Sequence, residues 1–295
     1  MNADKLVITI NKDTKMDTAA EEKFLDQLLE DLENDKLVLP TLPEVALKVR
    51  DTLEDENSSL TDVAKIITSD AALSARMIQV SNSPLLRASN PIESVEAAVT
   101  RMGSNMIRNL VTSMVMEQMF QATSDVTDKR LRKIWEHSTE VAAISFALAS
   151  QFTKLQPEQA MLAGLVHDIG ALPILSRAED YPELLEDEEA LDRIINNVHT
   201  TIGAEILRKW NFPEELIAVS EYHENLQRDS KNGPDYVDVV IVANLQSLID
   251  NKHAHSQVDW ATVPAFEKLG LQTDVSVVDM DETNANIEAA RAALS

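Results

Sequence analysis

The sequence predicts an all-α protein, arranged as a two-lobed helical bundle. Three observations predict it: only six glycines, only 4% aromatic residues, and apolar positions that recur every three or four residues. Sheet proteins take more β-branched and aromatic residues in strands and more glycine in turns. An apolar content of 44% over 295 residues supplies a sizeable core and argues against wholesale disorder. The length suits one large domain or two modest ones.

The elements follow in order. Leu6 to Ile10 is the one strand candidate. Val45, Leu47, Val49 and Leu53 share a helix face between Pro43 and a polar run at 55–59. Leu60, Val63, Ile66 and Ile67 repeat at helical spacing, and Leu73, Met77 and Val80 do so after Asp70, which suits an N-cap. Pro84 and Pro91 bound a loop. Ser94 opens a helix through Val95, Ala98, Val99 and Met102 that stops near Gly103, and Ser104 can cap the next, with Ile107, Leu110, Val111, Met114 and Val115. The methionines at 102, 106, 114, 116 and 119 read as filler between packed helices. Gln121 to Lys129 is polar and reads as a linker. Leu131, Ile134 and Trp135, then Val141, Ile144 and Leu148, start the second half. Pro157 opens a short helix ending near Gly170, the acid-rich stretch 179–192 reads as a solvated face, and helices follow at about 188–210, 213–226 and 235–250. The tail from 256 is less patterned, with a last small helix over 283–293, and its polarity and that of residues 1–20 predict fraying. The expected division is an N-terminal extension with a helix (1–35), an N-terminal helical half (36–125), a second helical half (126–255) and a tail (256–295).

Composition narrows the chemistry. With no cysteine there are no disulfides, thiolate metal sites or cysteine nucleophiles. Fifty acids against 26 lysines and arginines leave a formal charge of −24, which opposes binding to nucleic acid or anionic lipid. Arg76, Arg87, Arg101 and Arg108 lie among short helices, where pairing with the many acids is expected in preference to DNA contact. The longest promising uncharged stretch, Val141 to Thr153, is too short and polar to span a bilayer, which takes about 20 apolar residues. A cytoplasmic protein is expected. No two glycines are close enough for a phosphate-cradling loop, and there is no Gly-x-Ser-x-Gly elbow.

Two stretches carry a family resemblance. The first is Leu39-Pro40-Thr41-Leu42-Pro43, then Asp70-Ala71-Ala72-Leu73-Ser74-Ala75-Arg76, Asn82-Ser83, and Ser94-Val95 with Met102-Gly103. The second is Trp135-Glu136-His137-Ser138, Ala163 to Gly170 with His167-Asp168, then His199, Gly203, Trp210-Asn211-Phe212-Pro213 and Tyr222-His223. In this order the motifs resemble the HDOD family, signalling-associated relatives of the HD-domain phosphohydrolases, over about residues 36–250. The resemblance implies an all-α fold with an HD-like core in the C-terminal half. It also implies metal ligands at His137, His167, Asp168, His199 and His223, with Asp168 the catalytic candidate. Imidazoles with a carboxylate suit iron, manganese, nickel or zinc. His253 and His255 lie in a polar segment and read as surface residues.

The chain departs from the enzyme patterns at three positions, one of them Tyr222-His223, where the cyclic-dinucleotide-degrading branch has paired histidines. Asn244 follows Val242-Ala243 where HD enzymes carry aspartate, so it is a weaker ligand candidate. Ala171 stands where the cyclic-dinucleotide-degrading branch has a catalytic lysine, and no Gly-Tyr-Pro loop occurs. The expectation is a non-catalytic signalling module that binds a partner protein or a small regulatory ligand in trans. The alternative is a metal-dependent phosphohydrolase acting on a phosphoester or nucleotide.

Overall fold

A computed structural model describes residues 18–83, 86, 91–122, 124–248, 258–272, 276 and 281–294. Among them the regular structure is helical throughout, as the sequence predicts. The strand candidate at 6–10, most of the loop between Pro84 and Pro91, and His253 and His255 lie outside the described residues.

Helix α1 spans Ala19–Glu33. Four helices build the first lobe: α2 (Glu44–Glu54), α3 (Leu60–Thr68), α4 (Ala71–Ser81) and α5 (Val95–Met116). Their starts are the ones the side chains dictate. Asp70 accepts a bond from the Leu73 amide, Ser94 accepts one from Ala97, and Ser59 with Asp62 forms a reciprocal capping box. The turn after α4 is clasped by Asn82, whose amide bonds both the N–H and the carbonyl of Ile92. Gly103 breaks α5 with a φ of 75°, a left-handed value that favours glycine, so the two helices read from the sequence meet there at a kink.

The second lobe is built on the 28-residue α6 (Asp125–Phe152). Around it stand α7 (Pro157–Val166), α8 (Ala171–Ala178), the short α9 (Pro182–Leu185), α10 (Glu188–Lys209), α11 (Glu214–Tyr222), α12 (Tyr236–Ser247), α13 (Pro264–Lys268) and α14 (Asp281–Leu294). Three sequence expectations change. Ser124 caps α6 through the Thr127 amide, so the helix starts within the polar run read as a linker. The helix opened by Pro157 ends at Val166, and a separate turn covers His167 to Gly170. The acid-rich stretch contains α9, which buries Leu184. The stretch Pro157–Ala178, passed over in the sequence reading, has the length and apolarity of a membrane span, but it is mostly buried here and broken by that turn.

Both ends of the described chain fold onto the second lobe. From α1, buried Glu21 pairs with Arg193 of α10 and Phe24 meets Tyr181 edge-on. From α14, Ile287, Ala290 and Ala293 are buried, and Arg291 bonds Glu140 of α6. Arg76 of α4 donates to the Ala293 carbonyl, tying the first lobe to the same helix. The expected fraying of the tail therefore does not hold over 281–294, because this helix carries an apolar face that α6 covers. Ile287→Ala is expected to destabilise the fold by about 2–4 kcal/mol in urea denaturation; an unchanged midpoint would mean that the helix is not part of the core.

Candidate metal centre

The sequence-predicted residues come from five elements of the second lobe. His137 sits midway along α6, His167 and Asp168 in the turn after α7, His199 on α10, His223 at the C-cap of α11, and Asn244 on α12. The turn can reach α10 because residue 170 has no side chain: a Cβ there would lie 1.9 Å from the His199 carbonyl oxygen. At Gly203, one turn further along α10, a Cβ would meet Ser220 Oγ at 2.2 Å. Ser220 in turn donates to the His167 carbonyl at 3.1 Å, so α11, the turn and α10 are locked together.

Backbone carbonyls orient three of the rings. His167 Nδ1 lies 2.7 Å from Gly164 O, His199 Nδ1 lies 2.8 Å from Ile195 O, and His223 Nδ1 lies 3.1 Å from both Val219 O and Ser220 O. A carbonyl only accepts, so each Nδ1 carries hydrogen and each Nε2 presents its lone pair to the interior. All three Nε2 atoms converge on one carboxylate. Asp168 Oδ2 lies 3.3 Å from His167 Nε2 and 3.9 Å from His137 Nε2, while Oδ1 lies 3.3 Å from both His199 Nε2 and His223 Nε2. Each carboxylate oxygen thus faces a pair of imidazoles. His199 Nε2 and His223 Nε2 are themselves 3.3 Å apart, a distance at which two lone pairs need a proton or a metal cation between them.

Two further atoms are acceptors without donors. His167 Nε2 and Asn244 Oδ1 are buried and have no hydrogen-bond partner among the described residues. A donor set of this kind, all lone pairs and one negative charge, fits a divalent cation. The rings at 167, 199 and 223 are almost wholly shielded, whereas His137 and Asp168 keep some exposure and line a cleft of about 210 Å³ with Lys133, Glu224 and Asn244. Sequence reasoning missed Lys133 and Glu224. Lys133 stands one turn before His137 on α6, and Glu224 follows His223, placing Oε1 3.5 Å from its Nε2. Ala171, at the position of the expected lysine, is buried in the packing of α8.

The charges respond to this enclosure. Burial alone would lower the His199 pKa, but the hydrogen bond and charge of Asp168 outweigh it and push it from 6.5 up to about 9. His167 is also raised, the Asp168 charge again overcoming burial. Burial opposes ionisation of Asp168, yet the imidazoles hold its carboxyl well below the usual 3.8.

The chain is similar to known proteins in sequence and fold. Residues 39–226 match the HDOD domain, and the chain belongs to that family. A Shewanella amazonensis protein provisionally named a metal-dependent phosphohydrolase is 32% identical, with a TM-score of 0.84 over 94% of this chain and 100% of that one. An HDOD protein of unknown function from Geobacter sulfurreducens shares the fold at 23% identity and a TM-score of 0.63, over 93% of this chain and 99% of that one. An uncharacterized Treponema pallidum protein is 25% identical over 77% of this chain, which spans 46% of that relative. Ribonuclease Y of Mycoplasma mycoides is 33% identical over 101 residues, 34% of this chain and 19% of that protein.

Two outcomes test this geometry. Gly170→Ala is expected to cost about 3 kcal/mol and to separate Asp168 from His199, since the clash is with backbone; unchanged stability would show that α10 can retreat freely. In chelated protein, the stabilisation from His199 is complete below pH 6.5 and is lost as pH rises through about 9, because its folded pKa is the higher one. Its melting temperature should therefore fall across that window, and added cation should abolish the fall. A flat profile in chelator would contradict the assigned charge state.

Proposed function

We propose that the protein is a metal-binding HDOD signalling module. The observation that carries this reading is the ring of Nε2 lone pairs around Asp168, each ring held by a backbone carbonyl. His137, His167, Asp168, His199 and His223 would hold the cation, with Asn244 as a weak neutral donor. Iron, manganese, nickel and zinc all suit this set. A bound cation lowers the pKa of coordinated water and polarises a phosphoester oxygen.

The chain's own residues favour regulation over turnover. Asn244 contributes no charge, and Ala171 offers no cation to steady a phosphoryl transition state. The module would act by binding a signalling partner or a small regulatory ligand inside the cell, its folded state tied to metal loading.

A second reading, metal-dependent hydrolysis of a phosphoester or nucleotide, is favoured by one observation. The cleft is open on the side of Asp168 and His137, and Lys133, which has no ion pair among the described residues, lines it. There the carboxylate could hold a water while Lys133 bound a phosphate oxygen. The name of the Shewanella relative points the same way.

Metal analysis by mass spectrometry on protein purified without chelator or histidine tag separates these outcomes. One or two cations per chain are expected, with more than about tenfold weaker binding in His199→Ala. No stoichiometric metal in a folded chain would overturn the cation reading. With metal bound, turnover of phosphoesters that disappears in both Asp168→Asn and Lys133→Ala would favour hydrolysis over regulation.

A further inference from the structure

The motifs Leu39 to Pro43 and Trp210 to Pro213 play no part in the histidine cluster, yet the fold brings them together. Trp210 Nε1 donates to Pro40 O at 3.0 Å, and Arg50 of α2 donates to Trp210 O at 2.7 Å. Beside this clasp, a cleft of about 160 Å³ opens between the lobes. Its floor is one face of α5. Asn105, Arg108, Asn109 and Thr112 lie at i, i+3, i+4 and i+7, the spacing at which an inter-lobe helix would ordinarily present apolar side chains.

Of these polar groups only Thr112 is consumed by the fold, returning its hydroxyl to the Arg108 carbonyl. Asn109 is only 7% exposed, and its amide has no partner among the described residues. Arg108 Nε is buried without an acceptor, and no carboxylate pairs with this guanidinium among the described residues. The sequence expectation that the arginines here pair with acids fails for the three that are described. Arg76 and Arg101 donate to backbone carbonyls, and Arg108 has no acceptor for its guanidinium among the described residues. In a chain with 50 acidic residues, such an arginine in a lined cleft suits an external anion.

The opposite wall supplies the complement. Helices α7 and α11 both start at this cleft, with Gln156 and Pro213 as N-caps, and neither start is capped by a side chain. Their dipoles favour a negative group, and their first turns already carry Glu158, Glu214 and Glu215, so the cation of Arg108 is the main attraction for an anion. Arg50 is held by Asp51 and the Trp210 carbonyl, and Glu54, the one carboxylate lining the cleft, is exposed at its rim.

We propose that this cleft is a second ligand site, taking a small anion with a carboxylate or phosphate group bound by Arg108 and a polar edge read by Asn105 and Asn109. The volume suits an organic anion of several heavy atoms and excludes a dinucleotide. The site is separate from the histidine cluster. However, α7 and α11 start at the cleft and end at His167 and His223, about 15 Å away. The two sites thus share two rigid helices.

The test is isothermal titration of inorganic phosphate and, separately, of succinate into the chelated full chain at fixed ionic strength. Saturable binding of at least one is expected, and which one binds identifies the anionic group. His137→Ala should leave the affinity within about twofold. Arg108→Gln and Asn109→Asp should each weaken it by about tenfold or more, with helicity by circular dichroism unchanged. The charge introduced by Asn109→Asp keeps the test decisive if Arg108→Gln folds poorly. The proposal is overturned if neither anion binds saturably, if both cleft variants bind like the parent, or if His137→Ala abolishes binding and so moves the anion to the histidine cluster.

Discussion

The turn from His167 to Gly170 is wedged against α10, and the candidate centre depends on that contact. Backbone meets backbone there because Gly170 leaves no Cβ to intervene. The wedge carries Asp168 to within 3.3 Å of His199 and His223. It holds in place a cluster that would disperse in a free chain, since acceptors repel one another and a buried carboxylate is costly to desolvate. The cluster is held because each of the three buried rings is anchored at its far side to a carbonyl, and because the helices bearing them share one apolar core.

Charge organises the molecule at two scales. Over the whole chain, −24 favours cations and opposes phosphates at long range. Locally the pattern is mixed at one cleft and reversed at another. Lys133 stands among Asp168 and Glu224 beside the histidine cluster, and Arg108 stands between the lobes without a carboxylate partner among the described residues. An acidic surface around isolated, lined cations suits selective capture of small anions better than of polyanions, whose extended charge would meet the surrounding acids. The same surface lowers the cost of gathering a divalent cation at Asp168.

The two lobes are joined by polar contacts as much as by apolar ones. Trp210 with Pro40, Arg50 with the Trp210 carbonyl, and Arg76 with the Ala293 carbonyl each bridge distant parts of the chain. These bonds explain why the Leu-Pro-x-Leu-Pro and Trp-Asn-Phe-Pro motifs belong to one fold although about 170 residues separate them. Trp210 holds the backbone of the first motif, and Arg50 of α2 holds that of the second.

Local chemistry alone settled the helical class, the starts at Asp70 and Ser94, and the break at Gly103, because caps and backbone conformations depend on near neighbours. His137, His167, Asp168, His199 and His223 were legible as a motif set, and the structure brings these five, with Asn244, to one place. Their geometry was not legible: which nitrogen faces inward is decided by carbonyls three and four residues away in the folded helix, and which residues meet is decided by packing between distant elements. Composition also misread two features. A polar run became the first turns of α6 because Ser124 capped it, and the last helix, expected over 283–293 in a fraying tail, packs as α14 because α6 offers a face to cover its alanines and Ile287. Lys133 and Arg108 had no signal of their own in the sequence, since a lone cation gains meaning only from the groups that tertiary structure puts, or fails to put, beside it.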